Sequence, residues 1–442
     1  MAWHDPARAP RRRRLRLRPA VLRARVRLQF GGTGARRKER AQSSRPGVSQ
    51  AGRADRTAVR VNPPPLSLYV HLPWCVRKCP YCDFNSHSAR DGGAPTARYV
   101  DALLVDIERE ARHANGREIE TIFLGGGTPT LFAPGDIGRL LDGVAGRLSF
   151  APDIEITMEA NPGTVECGSP AAYRATGVNR LSIGAQSFDD VSLRRLGRIH
   201  GSADIRSTVE ASVQGGFETF NLDLMYGLPQ QTVAMAVADL RAAVDLAAPH
   251  ISWYQLTLEP NTVFHARPPA GLPDDEAAWA IQVAGAQVLA DAGYTSYEVS
   301  AWARGAHRCR HNLNYWRFGD YLAVGAGAHG KRTEGEAVLR YRKPANPLAY
   351  MQAMEAAEEA VAARVLDEAD LVFEFMLNAS RLTEGFSEDL FTRRTGLAAS
   401  VLAAAGAPAL EGGLIERREG GAWHPTALGR RFLDDLQASF LP

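Results

Sequence analysis

The 442-residue sequence predicts an α/β fold, a partial (β/α)6 barrel followed by a C-terminal, mostly helical, winged-helix-like domain. Three observations carry that expectation. Short β-rich runs alternate with helix-like stretches through the first part of the body, the segments just after those runs hold cysteines, glycines and polar residues, and the alternation lapses from about Tyr294 onward.

The chain begins with a basic stretch, residues 1–62. Residues 1–60 hold 17 Arg and one Lys against Asp5, Glu39 and Asp55, a balance of +15, so with +3 overall the other 382 residues carry −12. Arg11 to Arg14 head a stretch without the apolar centre of a secretory signal. The expectation is a disordered extension or a start set too far upstream, with a targeting segment or a functional arm as the alternatives. The acidic body argues against nucleic acid as a partner, because phosphate binding needs clustered cations. No apolar run approaches membrane-spanning length, and five cysteines, at 75, 79, 82, 167 and 309, are too few and too unevenly placed for a disulfide framework. A reducing cytoplasm fits that cysteine usage.

After Pro63-Pro64-Pro65 the texture changes. Strands are expected at residues 68–72, 121–125, 155–160, 180–185, 219–225 and 251–257. Between them lie helical spacings such as Tyr99, Leu103, Leu104, Ile107 and Ala111, which place one apolar face against a sheet. Repeated βα units imply a parallel sheet, with chemistry at the carboxyl ends of its strands. Six units leave the barrel incomplete and open at one side. Near the C-terminus, Leu371, Phe375, Met376, Ala379 and Leu382 mark a helix, residues 387–394 a second one ending before Gly396, and residues 414–417 with Gly420-Gly421 and Trp423 a hairpin. One further helix is expected to align Leu428, Phe432, Leu436 and Phe440. The resulting division is 1–62, 63–305 and 306–442.

The first βα loop reads Tyr69-Val-His-Leu-Pro-Trp-Cys75-Val-Arg-Lys-Cys79-Pro-Tyr-Cys82-Asp83-Phe84. Structural zinc usually takes four ligands from two separated pairs, and three thiols within eight positions do not supply them, although His71 or His87 could complete such a site. A [4Fe-4S] cube held by three thiolates leaves one iron without a protein ligand. The amino and carboxylate groups of S-adenosylmethionine can chelate that iron, and one electron can then release a 5'-deoxyadenosyl radical. Gly125-Gly126-Gly127 after the second strand permits close approach of backbone to a ligand, or marks an ordinary tight turn.

The cysteine loop resembles that of the radical SAM superfamily. Residues 69–84, 125–130, 159–163, 179–188, 196–200, 221–229, 253–260 and 311–316 resemble the HemW group, haem chaperones related to the oxygen-independent coproporphyrinogen III oxidase HemN. The resemblance spans about residues 66–440. It implies a radical SAM partial barrel over 63–305, a HemN-type C-terminal domain over 306–442, and cluster ligation by Cys75, Cys79 and Cys82. It also implies S-adenosylmethionine contacts at Tyr69, Tyr81, Gly126, Gly127, Thr128, Glu159, Gln186, Arg198 and Asp223. Carboxylates at Glu159 and Asp223 suit ribose hydroxyls, and Arg198 suits the methionyl carboxylate.

HemN-type oxidases carry a fourth cysteine two positions beyond the third, where this chain has Phe84. That departure favours the chaperone over coproporphyrinogen III dehydrogenation, the alternative function. His311-Asn312-Leu313-Asn314-Tyr315-Trp316 matches the HNxxYW motif associated with haem in the HemW group, which implies His311 as an axial ligand, with Tyr315 and Trp316 against the macrocycle. The alternative is a histidine bonded into the core. His329, between glycines, and Cys309 stand next as candidate ligands, and Cys167 is expected to be a surface thiol without a role. The implied partners are a haem-accepting protein, such as a respiratory one, and an electron donor of the flavodoxin or ferredoxin kind if S-adenosylmethionine is cleaved. The resemblance leaves room for membrane association and for a dimer.

Overall fold

The computed structural model describes residues 63–89, 93–163, 167–356 and 362–442. The basic residues 1–62, and the expectation attached to them, lie outside the described residues. Six parallel strands stand at the expected places: β1 (Leu66–Leu72), β2 (Ile119–Gly126), β3 (Phe150–Ala160), β4 (Arg180–Gln186), β5 (Thr219–Tyr226) and β6 (His250–Gln255). Between them run α1 (Thr96–Ala111), α2 (Pro134–Ala145), α3 (Pro170–Ala175), α4 (Asp190–Arg195), α5 (Ser202–Gln214) and α6 (Val233–Asp245), with α7 (Asp275–Asp291) after β6. The strands are buried on both faces, so they read as nearly continuous apolar runs. Tyr99, Leu103 and Ile107 of α1 face the sheet, as their spacing requires.

The sheet continues beyond the six strands on both sides. After β6 come the antiparallel β7 (Thr295–Glu298) and β8 (Ala301–Ala303). Beyond the short helix α8 (Arg310–Trp316), β9 (Asp320–Val324) lies parallel to β1, followed by antiparallel β10 (His329–Glu334), β11 (Ala337–Arg342) and β12 (Ala362–Val365). The strand order is β12-β11-β10-β9-β1-β2-β3-β4-β5-β6-β8-β7. The sheet therefore runs through residues 320–365, past position 305. β9 is short and follows a helix, which hides it in a reading based on βα alternation.

The helix α9 (Pro347–Glu355) returns onto α1, and Lys343 Nζ sits 2.6 Å from both Asp106 Oδ1 and Glu110 Oε1 beneath it, all three side chains shut from solvent. A second core follows. It joins α10 (Glu368–Ala379), α11 (Glu388–Thr395) and a sheet of β13 (Phe386–Ser387), β14 (Ile415–Arg418) and β15 (Ala422–Pro425) around Phe375, Phe391, Leu402 and the fully buried Trp423, whose Nε1 donates to Glu388. Ser387 caps α11, and Gly396, at φ +72°, ends it. The single helix expected to follow is instead two, α12 (Ala427–Arg431) and α13 (Leu433–Ala438), broken at Phe432. The break turns Leu428 and Phe432 outward and leaves Leu436 and Phe440 in the core.

Candidate functional site

The cysteine loop leaves the carboxyl end of β1. Trp74–Cys75 pairs with His87–Ser88, so the loop folds back on itself, and Lys78 Nζ closes it by donating to the carbonyls of Phe84 (2.9 Å) and Ser86 (3.2 Å). Asn85 anchors it to the barrel. Its Nδ2 donates to Ala326 O at 2.9 Å and Ala345 O at 2.8 Å, while its carbonyl accepts from His71 Nε2 at 2.9 Å. All three thiols are free and partly exposed, and burial raises those of Cys75 and Cys82. Arg198 Nη1 donates to Cys79 Sγ at 3.6 Å, and Arg77 reaches the Gly197 carbonyl.

Beside this loop, Tyr81, Gly126, Gly127, Thr128, Glu159, Gln186, Arg198 and Asp223 line one cleft with Cys75, Cys79 and Cys82. The cleft opens to solvent and encloses a cavity of about 140 Å³. Tyr69 does not line it; its hydroxyl is engaged with His71 Nδ1 at 2.9 Å and its ring lies over Phe123. Phe84 stands at the mouth, 61% exposed.

The glycines that line the cleft also make a tight turn against the cysteine loop. A Cβ at Gly126 would meet the His71 ring, and one at Gly127 would stand 2.8 Å from Leu72 O and closer still to Trp74 O. Gly127 N donates to Leu72 O at 2.8 Å, Thr128 N to Trp74 O at 2.7 Å, and Gly126 N to Glu159 Oε2 at 2.9 Å. The three amides are thus spent on the cysteine loop and on Glu159. The turn fixes the loop first, and only its remaining surface faces the cleft.

Charge is arranged in layers. Burial, with Asp223 nearby, pushes Glu159 up to about 7, and burial likewise raises Asp223. Arg198 is held by Asn161 Oδ1 (2.6 Å) and Gly184 O (2.9 Å), and its buried Nε has no partner, an unmet donor on a side chain that lines the cleft. Asn161 in turn donates to Thr128 Oγ1 at 2.8 Å, and Tyr254 donates to Gln186 Oε1 at 2.8 Å. Asn161, Ser182, Gly184 and Tyr254 line the cleft without having been singled out as site residues. Asn161 follows β3 directly and Tyr254 is next to last in β6, whereas Ser182 and Gly184 lie within β4.

His311 is elsewhere. It lies on α8, fully buried against β2, with Nδ1 2.7 Å from Thr121 Oγ1 and Nε2 2.8 Å from the Tyr315 hydroxyl. Thr121 gives its proton to Ser67, so Nδ1 carries the imidazole proton and Nε2 accepts from Tyr315. Burial lowers the ring to about 3, so it is neutral. Glu155 accepts from the amides of Arg310 and His311 and holds the start of the helix. Tyr315 packs edge-on to Tyr321, and Trp316 lies under the Arg381 guanidinium. Cys309 is buried, pushed up to about 12. The glycines near His329 serve packing: a Cβ at Gly327 would strike Asn85 and one at Gly330 the Tyr341 ring. Cys167 is an exposed thiol.

Comparison with known proteins places these features in a family context. The model for the radical SAM superfamily matches residues 69–243, and that for the HemN C-terminal domain matches 366–432. The chain is 48% identical over 380 residues to "Heme chaperone HemW" of Escherichia coli (strain K12), covering 86% of this chain and 98% of that one. It is 46% identical over 384 residues to the protein of the same description from Haemophilus influenzae, again covering 86% and 98%. Among solved structures, coproporphyrinogen III oxidase (HemN) from Escherichia coli superposes with a TM-score of 0.72 at 24% identity, covering 87% of this chain and 91% of that one. That last likeness shows the fold alone.

Proposed function

The chain belongs to the HemW family of haem chaperones, and from that premise we propose that it binds a [4Fe-4S] cluster, S-adenosylmethionine and haem, and passes the haem to an acceptor protein. The observation that carries the reading is the gathering of three free thiols and eight of the nine expected S-adenosylmethionine residues in one cleft. Among the described residues no three His, Cys, Asp or Glu side chains converge closely enough to hold one ion. The corners of a cube lie further apart than the ligands of a single ion, so thiols spread along one loop suit the cluster better than zinc. Cys75, Cys79 and Cys82 would hold it, and Arg198 beside Cys79 offsets the negative charge that three thiolates bring.

When bound, the cluster and S-adenosylmethionine would supply one-electron chemistry, with an electron donor such as flavodoxin or ferredoxin. The protein's own residues bind and orient. Arg198 supplies a cation for a carboxylate in the cleft, Glu159 and Asp223 accept from ammonium or hydroxyl donors, and the tied Gly126-Gly127-Thr128 turn keeps loop and cleft in register. Haem ligation by His311 requires Tyr315 to release Nε2 and α8 to lift from Thr121 and Glu155. We place the protein in the cytoplasm; no helix among the described residues is long and apolar enough to cross a membrane.

The test is anaerobic incubation of cluster-replete protein with coproporphyrinogen III, S-adenosylmethionine and reductant, beside a haem titration. The expected result is haem binding without protoporphyrinogen. Substantial protoporphyrinogen would instead assign the dehydrogenase reading.

A further inference from the structure

Asp223, in the wall of the cleft, is joined to the helix carrying His311 by an unbroken chain of hydrogen bonds. Its Oδ1 accepts from Asn221 Nδ2 at 2.8 Å and its Oδ2 from Ser182 Oγ at 2.9 Å. Asn221 Oδ1 accepts from His250 Nδ1 at 2.7 Å, and His250 Nε2 lies 2.7 Å from the Tyr297 hydroxyl. The Tyr297 oxygen accepts the backbone N–H of Cys309, the residue that starts α8, at 3.2 Å. Asn221 has further partners, its Nδ2 donating also to Ser182 Oγ at 2.8 Å and its Oδ1 accepting also from the Ser252 N–H at 2.9 Å and hydroxyl at 3.0 Å, and the direction of each bond in the chain follows. Asn221 presents its amide to Asp223, so its oxygen must accept; His250 then donates from Nδ1 and accepts at Nε2; Tyr297 donates to His250 and accepts from Cys309. Asn221, His250, Tyr297 and Cys309 are each 1% exposed, so water does not compete for these bonds.

A second link runs alongside. Arg180 is 2% exposed, and its Nε and Nη2 have no hydrogen-bond partner. Burial works against its charge, and Cys309, Glu155, Tyr297 and Asp223 favour it. Its charge is therefore favoured by groups at both ends of the chain, Asp223 in the cleft and the Glu155 carboxylate that holds the first turn of α8.

We infer that this chain couples the cleft to α8: hydroxyl donors of a nucleoside seated on Asp223 hold α8, and His311 with it, against β2, and their loss lets the helix lift more readily. The inference rests on the reading of the cleft as the S-adenosylmethionine site and of His311 as the haem ligand. A hydroxyl pair on Asp223 orders the carboxylate, which adds to the hold of Ser182 and Ser252 on Asn221 and, through His250 and Tyr297, steadies the acceptor for the Cys309 amide. Polarisation along a buried chain strengthens each bond in the same sense. His250 and Tyr297 touch no ligand and are positioning residues. Linkage makes the effect reciprocal, so haem bound at His311 must weaken S-adenosylmethionine binding by the same factor by which S-adenosylmethionine weakens haem binding.

The experiment follows backbone amide hydrogen exchange at Cys309, Arg310 and His311 in anaerobic, cluster-replete protein with and without S-adenosylmethionine, with the cluster spectrum reporting S-adenosylmethionine binding separately. Exchange in the wild type is expected to slow by about fivefold or more, the lower range of measured couplings. Haem affinity is expected to fall by the same factor. In Tyr297→Phe, S-adenosylmethionine still binds and the slowing at these amides is lost. Unchanged exchange in the wild type while the spectrum reports binding would overturn the coupling, as would a full effect persisting in Tyr297→Phe. If Tyr297→Phe does not fold, the wild-type comparison decides alone. A spectrum that ignores S-adenosylmethionine overturns the proposed function together with the coupling, whereas loss of the coupling leaves that function standing.

Discussion

Replacing Gly127 by alanine tests the claim that the glycine turn exists to seat the cysteine loop. The added Cβ would lie 2.8 Å from Leu72 O and from the Trp74 carbonyl carbon, all backbone, so no side chain can swing away. The two strands can separate only by stretching the Gly127–Leu72 and Thr128–Trp74 hydrogen bonds, at 2.8 and 2.7 Å. Overpacking of this kind costs about 1–3 kcal/mol, and two weakened backbone bonds add about 1 kcal/mol each. A loss of about 3–5 kcal/mol is therefore expected, concentrated where the cysteine loop leaves β1. The assay is iron content per chain after anaerobic reconstitution, with a denaturant midpoint on the same samples. Gly135→Ala is the control, since nothing lies within 4 Å of its Cβ position, and it should hold iron normally. Wild-type iron and stability in Gly127→Ala would refute the reasoning.

Glu159, pushed up to about 7 by burial, takes a proton as pH falls through that value. A cationic ligand favours the carboxylate and drives the proton off, so S-adenosylmethionine affinity should rise with pH through about 7 and then level; Glu159→Gln should flatten that profile, and an unaltered slope would count against the assignment. Lys343→Ala strands Asp106 and Glu110 in the interior, which should cost about 3–5 kcal/mol in a denaturant titration; a change under about 1 kcal/mol would show the pair to be solvated. Trp423→Ala empties the second core and should cost about 3–5 kcal/mol there while the cluster absorbance persists; parallel loss of the cluster would mean that the two cores unfold together.

Much of the fold can be read in the residues because the parallel strands are buried on both faces. Residues 219–225 show the strand β5 directly, and the close spacing of Cys75, Cys79 and Cys82 already puts them on one loop. What stays hidden is contact between distant segments. Nothing near His311 in the chain says that Thr121 and Glu155, far upstream, occupy its ring and its amide. Gly127 reads as a ligand contact because close approach of any backbone, here Trp74, demands the same residue. Leu428 and Phe432 follow the helical period of Leu436 and Phe440, yet the break at Phe432 takes them out of the core. β9 is a strand because β1 and β10, distant or later in the chain, lie on either side of it.

The most direct measurement is haem transfer. Protein loaded with haem is mixed with increasing amounts of an apo respiratory haem protein, and the haem absorbance is followed into the acceptor. The account predicts that haem leaves at a rate that rises with acceptor concentration and that His311→Ala cannot be loaded while its cluster remains intact. Haem that escapes at one rate whatever the acceptor concentration, or a His311→Ala protein that loads and delivers normally, would contradict it.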